Sequence, residues 1–230
     1  ATIYKKVPLD FKIEDLKYLG KTDKLNDIYE ELEFFSFLKK ETKKEEKLNI
    51  TIIEDINKIK IDKECTLYLE ILGTNYHTSQ IIGVGLYNSD IAYYIPFEKL
   101  TNLDFLRNIK ITTYDLKKAY VALKWHNLNL DNVADDLMIA ASLLEYNTKE
   151  DIAYLANQFN YNIPFYETSF GKSNKTIPID VANIVVNKAK FIYEKKNDIL
   201  NKIEEENLLE LYHDIEMPLA YVLGDMEYDG

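Results

Sequence analysis

Residues 66–87 read TLYLEILGTNYHTSQIIGVGLY, and this stretch decides the fold class. Thr66–Leu72 and Ile81–Tyr87 are rich in Ile, Leu, Val, Thr and Tyr, which suit a pleated, half-buried surface, so both are predicted strands. Asn88-Ser89-Asp90 follows directly. Asn and Asp side chains bond their own backbone nearby, so this triplet predicts a hairpin turn into a strand over Ile91–Pro96. Gly83 and Gly85 punctuate the second strand and do not form a phosphate loop. Working outward, Ile50–Ile53 reads as an earlier strand and Ile109–Thr112 as a later one, with a helix expected around Leu100–Arg107.

Beyond Thr113 the apolar period changes from two to 3.6. Asp115–Trp125 carries Leu116, Tyr120 and Leu123 at i, i+4 and i+7. Asp131 or Asn132 is expected to cap a helix to Leu144, with Asp135 and Asp136 as favourable charges in its first turn. Thr148-Lys149-Glu150-Asp151 resembles a capping box ahead of Ile152, Leu155, Ala156 and Phe159. Residues 160–176 read as a polar, irregular loop. One helix is expected from Pro178 or Asp180 to the mid-190s and another over 198–211. At the other end, 1–21 reads as an extended lead-in and 22–39 as a helix with Leu25, Ile28, Tyr29 and Leu32 on its apolar face. The mixed-charge run KKETKKEEK over 39–47 reads as a solvated loop. Strands first, then helices, with one strand isolated between helices, predict an α/β sheet flanked by helices.

Composition excludes several functions. The chain has 230 residues, 47% of them hydrophobic, enough for a sizeable core, and a formal net charge of −11. A free-standing duplex-DNA binder presents a basic face, so this balance argues against strong, independent backbone binding. The single cysteine, Cys65, cannot form an internal disulfide, which suits a reducing cytoplasm. No apolar run approaches the ~18 residues of a membrane helix, and the N-terminal ATIYKKVPLDF lacks a signal-peptide core.

The C-terminal stretch, 208–230, reads LLELYHDIEMPLAYVLGDMEYDG. Leu219, Val222, Leu223 and Met226 recur at helical spacing, and Pro218 is tolerable only near the start of that helix. The stretch resembles the segment that opens the polymerase domain of bacterial DNA polymerase I, the A-family polymerases. The matching residues are Ile215, Glu216, Met217, Pro218, Leu219, Met226, Glu227 and Gly230. The resemblance extends upstream to the family's RNase H-like 3′–5′ exonuclease domain. Ile81–Gly85 is similar to its second strand, 110–130 to the unit carrying its second motif, Val133–Leu144 to the next helix, and Thr176–Tyr193 falls where the third motif belongs. The implied organisation is an interdomain lead-in over 1–21, the exonuclease-like domain over 22–207, and the start of a polymerase domain over 208–230.

An active domain of this family holds two divalent metals on four carboxylates: Asp-x-Glu on the first strand, an Asp in the second motif, and Tyr-x-x-x-Asp in the third. By resemblance, the first-strand positions fall on Leu69 and Ile71, the second on Ala119, and the third on Ile184 and Lys188. Glu70 lies between the first two, and the strand period turns it to the other face. Lys188 sits in the stripe Val181, Ile184, Val185, Lys188 and Ile192. A lysine in such a stripe ordinarily snorkels outward. If its ammonium instead occupies the metal site, a divalent ion ~4 Å away is repelled by several kcal/mol.

Other candidates have plainer readings. Asp115, Asp135 and Asp136 are explained as helix-start residues. His77, His126 and His213 show no ligand pairing. Cys65 reads as a buried thiol. Arg107, Lys110, Lys117, Lys118 and Lys124 form a local basic cluster, either a solvated face or a contact to DNA or a polymerase domain. The reading that follows is a catalytically inactive exonuclease-like domain that supports a DNA-directed DNA polymerase in replication and repair. The implied partners are a polymerase domain in cis, an upstream 5′ nuclease domain, and DNA through the parent enzyme. No cofactor is expected in these residues, and Mg²⁺ in the parent polymerase. The rivals are an active exonuclease with relocated ligands and a free-standing binding module.

Overall fold

A computed structural model of the chain describes residues 28–29 and 48–230. The chain divides into two units, Ala1–Glu41 and Thr42–Gly230. In the first, Ile28 and Tyr29 are helical. The remainder of the expected 22–39 helix, the lead-in over 1–21 and the charged run over 39–47 lie outside the described residues.

Among the described residues the second unit is built on six strands: β1 (Thr51–Ile52), β2 (Glu64–Leu72), β3 (Gln80–Tyr87), β4 (Ala92–Pro96), β5 (Lys110–Thr113) and β6 (Val133–Asp136). Their spatial order is β1-β4-β3-β2-β5-β6. β2, β3 and β4 form an antiparallel meander, while β5 and β6 add in parallel beside β2, and β1 pairs in parallel with β4. The sheet is therefore mixed. Leu67 faces Leu86 and Leu69 faces Val84 across β2 and β3, and the register shifts between Glu70 and Ile71. The predicted turn forms: the Asn88 side chain accepts from the backbone N–H groups of Asp90 and Ile91 at 2.8 and 3.0 Å.

The helices are α1 (Leu116–Lys124), α2 (Leu137–Leu143), α3 (Ala153–Gln158), α4 (Tyr166–Phe170), α5 (Val181–Glu205) and α6 (Met217–Asp229). The long α5 packs across β2 and β3. Gly85 permits this approach, because a Cβ there would lie 2.8 Å from the Val185 carbonyl oxygen. A π-helical turn over Leu211–Glu216 leads into α6, which packs on α1, and Pro218 lies in its first turn, where its missing N–H costs nothing.

The structure corrects several local expectations. In place of a helix at Leu100–Arg107 there is one 3₁₀ turn, Asp104–Leu106, where the Asn102 side chain accepts from Asp104 N at 3.0 Å and competes with helical bonding. Residues 133–136 are strand, not a first helical turn: β5 offers a free parallel edge, so the cap moves from Asp131 or Asn132 to Asp136. The capping box does not form. Thr148 Oγ1 instead bonds Ser142 Oγ at 2.6 Å, and Asp151 accepts from Ala153 N and Tyr166 N. The expected loop over 160–176 contains α4. The two expected C-terminal helices are one 25-residue helix. No Gly or Pro interrupts it, and Ile192, Ile199 and Ile203 continue its fully buried stripe. Among the described residues no helix is long and apolar enough to cross a membrane.

Candidate functional site

The C-terminal half of β2 turns alternate side chains toward α5. Thr66 Oγ1 donates to the Ala189 carbonyl at 2.7 Å, and two positions on, Tyr68 lies in the same row. Glu70 continues it. There the strand meets Lys188, whose ammonium forms an ion pair with Glu70 Oε2; the two side chains are 1% and 3% exposed. Lys188 therefore does not snorkel, and Glu70 is not turned away from the site. The alternation foreseen in the strand is present, but its Glu70 face, not its Leu69 face, meets the helix.

Three rings complete the shell around the ammonium. Lys188 Nζ lies 4.9 Å from the centroid of Tyr68, 5.7 Å from Phe170 and 5.9 Å from Tyr166. Each ring presents its negative face to the cation, an attraction that grows when water is excluded. Tyr166 is itself pinned: its hydroxyl donates to the Ile71 carbonyl at 3.0 Å and accepts from Gly73 N at 2.9 Å. Burial, with the Glu70 charge nearby, holds the Tyr68 phenol well above the ordinary range, so it stays neutral. Tyr166 and Phe170 were missed because 160–176 read as irregular. The available signal was their i, i+4 aromatic spacing, and the rings stack 4.7 Å apart.

The shell opens on a cleft of about 430 Å³ whose walls include Tyr68, Glu70, Ile71, Lys118, Asp151 and Tyr166. Of the five positions matched by resemblance, Ile71 lines this cleft and Lys188 lies beneath it, paired with Glu70. Leu69 is buried on the opposite face of β2, Ala119 is buried within α1, and Ile184 is half-buried one turn before Lys188. These donors do not suit a pair of divalent metals. Hard cations require several oxygen ligands, whereas one carboxylate here is already neutralised by a fixed ammonium among aromatic carbons. Among the described residues no three His, Cys, Asp or Glu side chains gather where they could hold a metal ion.

The remaining acidic candidates serve as helix caps or pair with lysine. Asp115 caps α1, accepting from Lys118 N at 3.2 Å, with φ of +62°. Asp135 is buried with its Oδ2 3.2 Å from Lys110 Nζ. Asp136 accepts from Leu116 N at 2.5 Å, Asp115 N at 3.2 Å, Met138 N at 2.7 Å and Ile139 N at 3.4 Å, so one carboxylate caps two helices. Burial pushes its pKa up to about 6 despite those donors.

The basic cluster is spent on carboxylates. Arg107 pairs with Asp104, Lys110 with Asp135, Lys117 with Glu227, Lys118 with Asp115 and Lys124 with Asp225. The histidines are scattered: His77 accepts from Trp125 Nε1 at 3.3 Å, His126 packs on Phe97 and His213 on Tyr212. Burial pushes the Cys65 thiol up to about 12, which makes it unreactive.

The C-terminal helix is tied to the same unit. Glu227 accepts from Lys117 Nζ and from the Tyr76 hydroxyl, each at 2.5 Å, and Asp225 from Lys124 Nζ at 2.6 Å and the Tyr120 hydroxyl at 2.7 Å. Upstream, the Tyr212 hydroxyl bonds both the N–H and the carbonyl of Asp136. Away from α1, the helix exposes Leu219, Val222, Leu223 and Met226, each at least 40% accessible, with Ile215 on the preceding turn.

Comparison with known proteins bears on the family and the fold. The family described as DNA polymerase I, ribonuclease H-like domain, matches residues 67–195. DNA polymerase I of Geobacillus stearothermophilus is 30% identical over 249 residues, an alignment covering 100% of this chain and 28% of that protein. The chain thus spans under a third of that relative. Among solved structures, Brucella melitensis NrnC with bound Mg²⁺ superposes with a TM-score of 0.60 at 10% identity, covering 79% of this chain and 92% of that one. Escherichia coli RNase D, an exoribonuclease, gives 0.57 at 11% identity, covering 77% and 51%. At such identities the structural likeness speaks for the fold, which is that of RNase H-like exonucleases. The chain belongs to the family of DNA polymerase I ribonuclease H-like domains.

Proposed function

We propose that this 3′–5′ exonuclease-like domain of a DNA polymerase I is catalytically inactive and serves as structural support for a polymerase domain in the same polypeptide. The observation that carries the reading is the buried Lys188–Glu70 pair in the cleft where the fold's nuclease chemistry would be sought. An immobile ammonium there opposes the divalent ions that two-metal hydrolysis requires. The commitment of every lysine and arginine of the α1 region to a carboxylate further supports a domain that does not grip DNA by itself.

The exposed apolar face of α6 supports the second half of the proposal. Soluble surfaces seldom leave such a contiguous row bare, and here it lies opposite the face that packs on α1. We assign 22–207 to the exonuclease-like domain and 208–230 to the junction with the polymerase domain. The parent would be a cytoplasmic DNA-directed polymerase of replication and repair that uses Mg²⁺, with a 5′ nuclease domain upstream.

The test is a 3′-exonuclease assay on single-stranded DNA with Mg²⁺ or Mn²⁺. The expected result is no degradation above a mock purification. Metal-dependent shortening that persists through purification overturns the proposal.

A further inference from the structure

The floor of the cleft is built as a cation receptor. Its anion, Glu70, is 3% exposed, and Tyr68, Tyr166 and Phe170 set their rings around one point within 4.9–5.9 Å. Tyr166 cannot swing away, because its hydroxyl is bonded to the backbone on both sides of the β2 terminus. A carboxylate among rings recognises an organic ammonium: the charge meets the carboxylate, and the alkyl portion and N–H dipoles meet the ring faces. A divalent ion demands several oxygen ligands, and among the described residues no three His, Cys, Asp or Glu side chains gather to hold one. The receptor also has a doorway, since Tyr68, Glu70 and Tyr166 form walls of the solvent-open cleft.

We infer that Lys188 is a tethered occupant of a primary-ammonium site, and that shortening the tether turns the site into a receptor for a free alkylammonium ion. The inference rests on the reading of an inactive domain only in placing a resident cation in this cleft. Its readout is thermal, so it fails independently of the nuclease assay.

The experiment uses the 230-residue chain. Lys188→Ala removes the ammonium and its stem and leaves Glu70 buried and unpaired. Its melting temperature is expected to fall by roughly 10 °C, since stranding one partner of a buried pair is strongly destabilising. Addition of methylammonium or ethylammonium chloride should recover about half of that loss, beyond the effect of NaCl at equal ionic strength. The wild-type chain, with its site filled, should not respond. The double variant Glu70→Gln/Lys188→Ala should lose the response, because the neutral amide no longer needs a counterion. If Lys188→Ala does not fold alone, refolding yield with and without alkylammonium gives the same reading. An absent response in Lys188→Ala, an equal response in the double variant, or stabilisation by Mg²⁺ with alkylammonium inert each overturns the inference.

Discussion

Asp136 is buried at the meeting point of two helix starts and the turn that leads to α6. Its four backbone donors favour the carboxylate, while the loss of water favours the neutral acid, and burial wins. Because the folded pKa of about 6 lies above the ordinary carboxylate value, the folded state binds the extra proton between about pH 4 and 6. Stability from this group is therefore present below about pH 4 and is lost as pH rises through about 6, by on the order of 3 kcal/mol. Asp136→Asn keeps one acceptor but sets an amide NH₂ against backbone donors, at a cost of about 1–3 kcal/mol. Urea melts of the two proteins should diverge as pH falls from 7 to 4, with the wild type gaining. Parallel curves would contradict the assignment. The sequence marked Asp136 as a helix-start residue. What it could not mark was the second helix the side chain serves, because Leu116 N belongs to an element 20 residues away.

At the scale of elements, the strands β2 to β5 and helix α1 were legible because each shows its own period. β6 was not: VADD has no apolar alternation, and only the open edge of β5 makes it strand. α5 read as two helices because Asn197 and Asp198 resemble a start signal, yet its buried Ile residues run straight through. How closely α5 approaches the sheet is set at Gly85. Gly85→Ala places a methyl against the Val185 carbonyl, which belongs to a helix and cannot yield alone, so α5 must lift from β3. A loss of about 2 kcal/mol is expected in chemical denaturation, with weakened hydrogen-exchange protection along both elements. An unchanged midpoint would show that the helix sits farther out than this packing requires.

At the scale of the molecule, α6 has two faces with different fates. One is locked to α1 by Glu227, Asp225 and a close approach at Gly224, where a Cβ would lie 2.7 Å from the Tyr120 ring. The other carries Leu219, Val222 and Met226 to solvent. Replacing these three by Gln should change the melting temperature of this chain by no more than about 2 °C, since exposed side chains contribute little to the fold. The same change should weaken its association with a separately produced polymerase domain at least tenfold, measured by calorimetry. Equal affinity for both proteins would remove α6 from the proposed junction. The sequence by itself determined the α/β class, the order of most elements, the apolar faces of α1 and α6, and the apolar or cationic residues at Leu69, Ile71, Ala119 and Lys188. These follow from local periodicity and residue type. Only the tertiary structure decided that Glu70 meets Lys188, that Tyr166 and Phe170 enclose the pair, and that one carboxylate caps two helices. The physical reason is reach: a strand's alternation says which side chains share a face, but the helix that covers that face is chosen by packing between segments more than 100 residues apart.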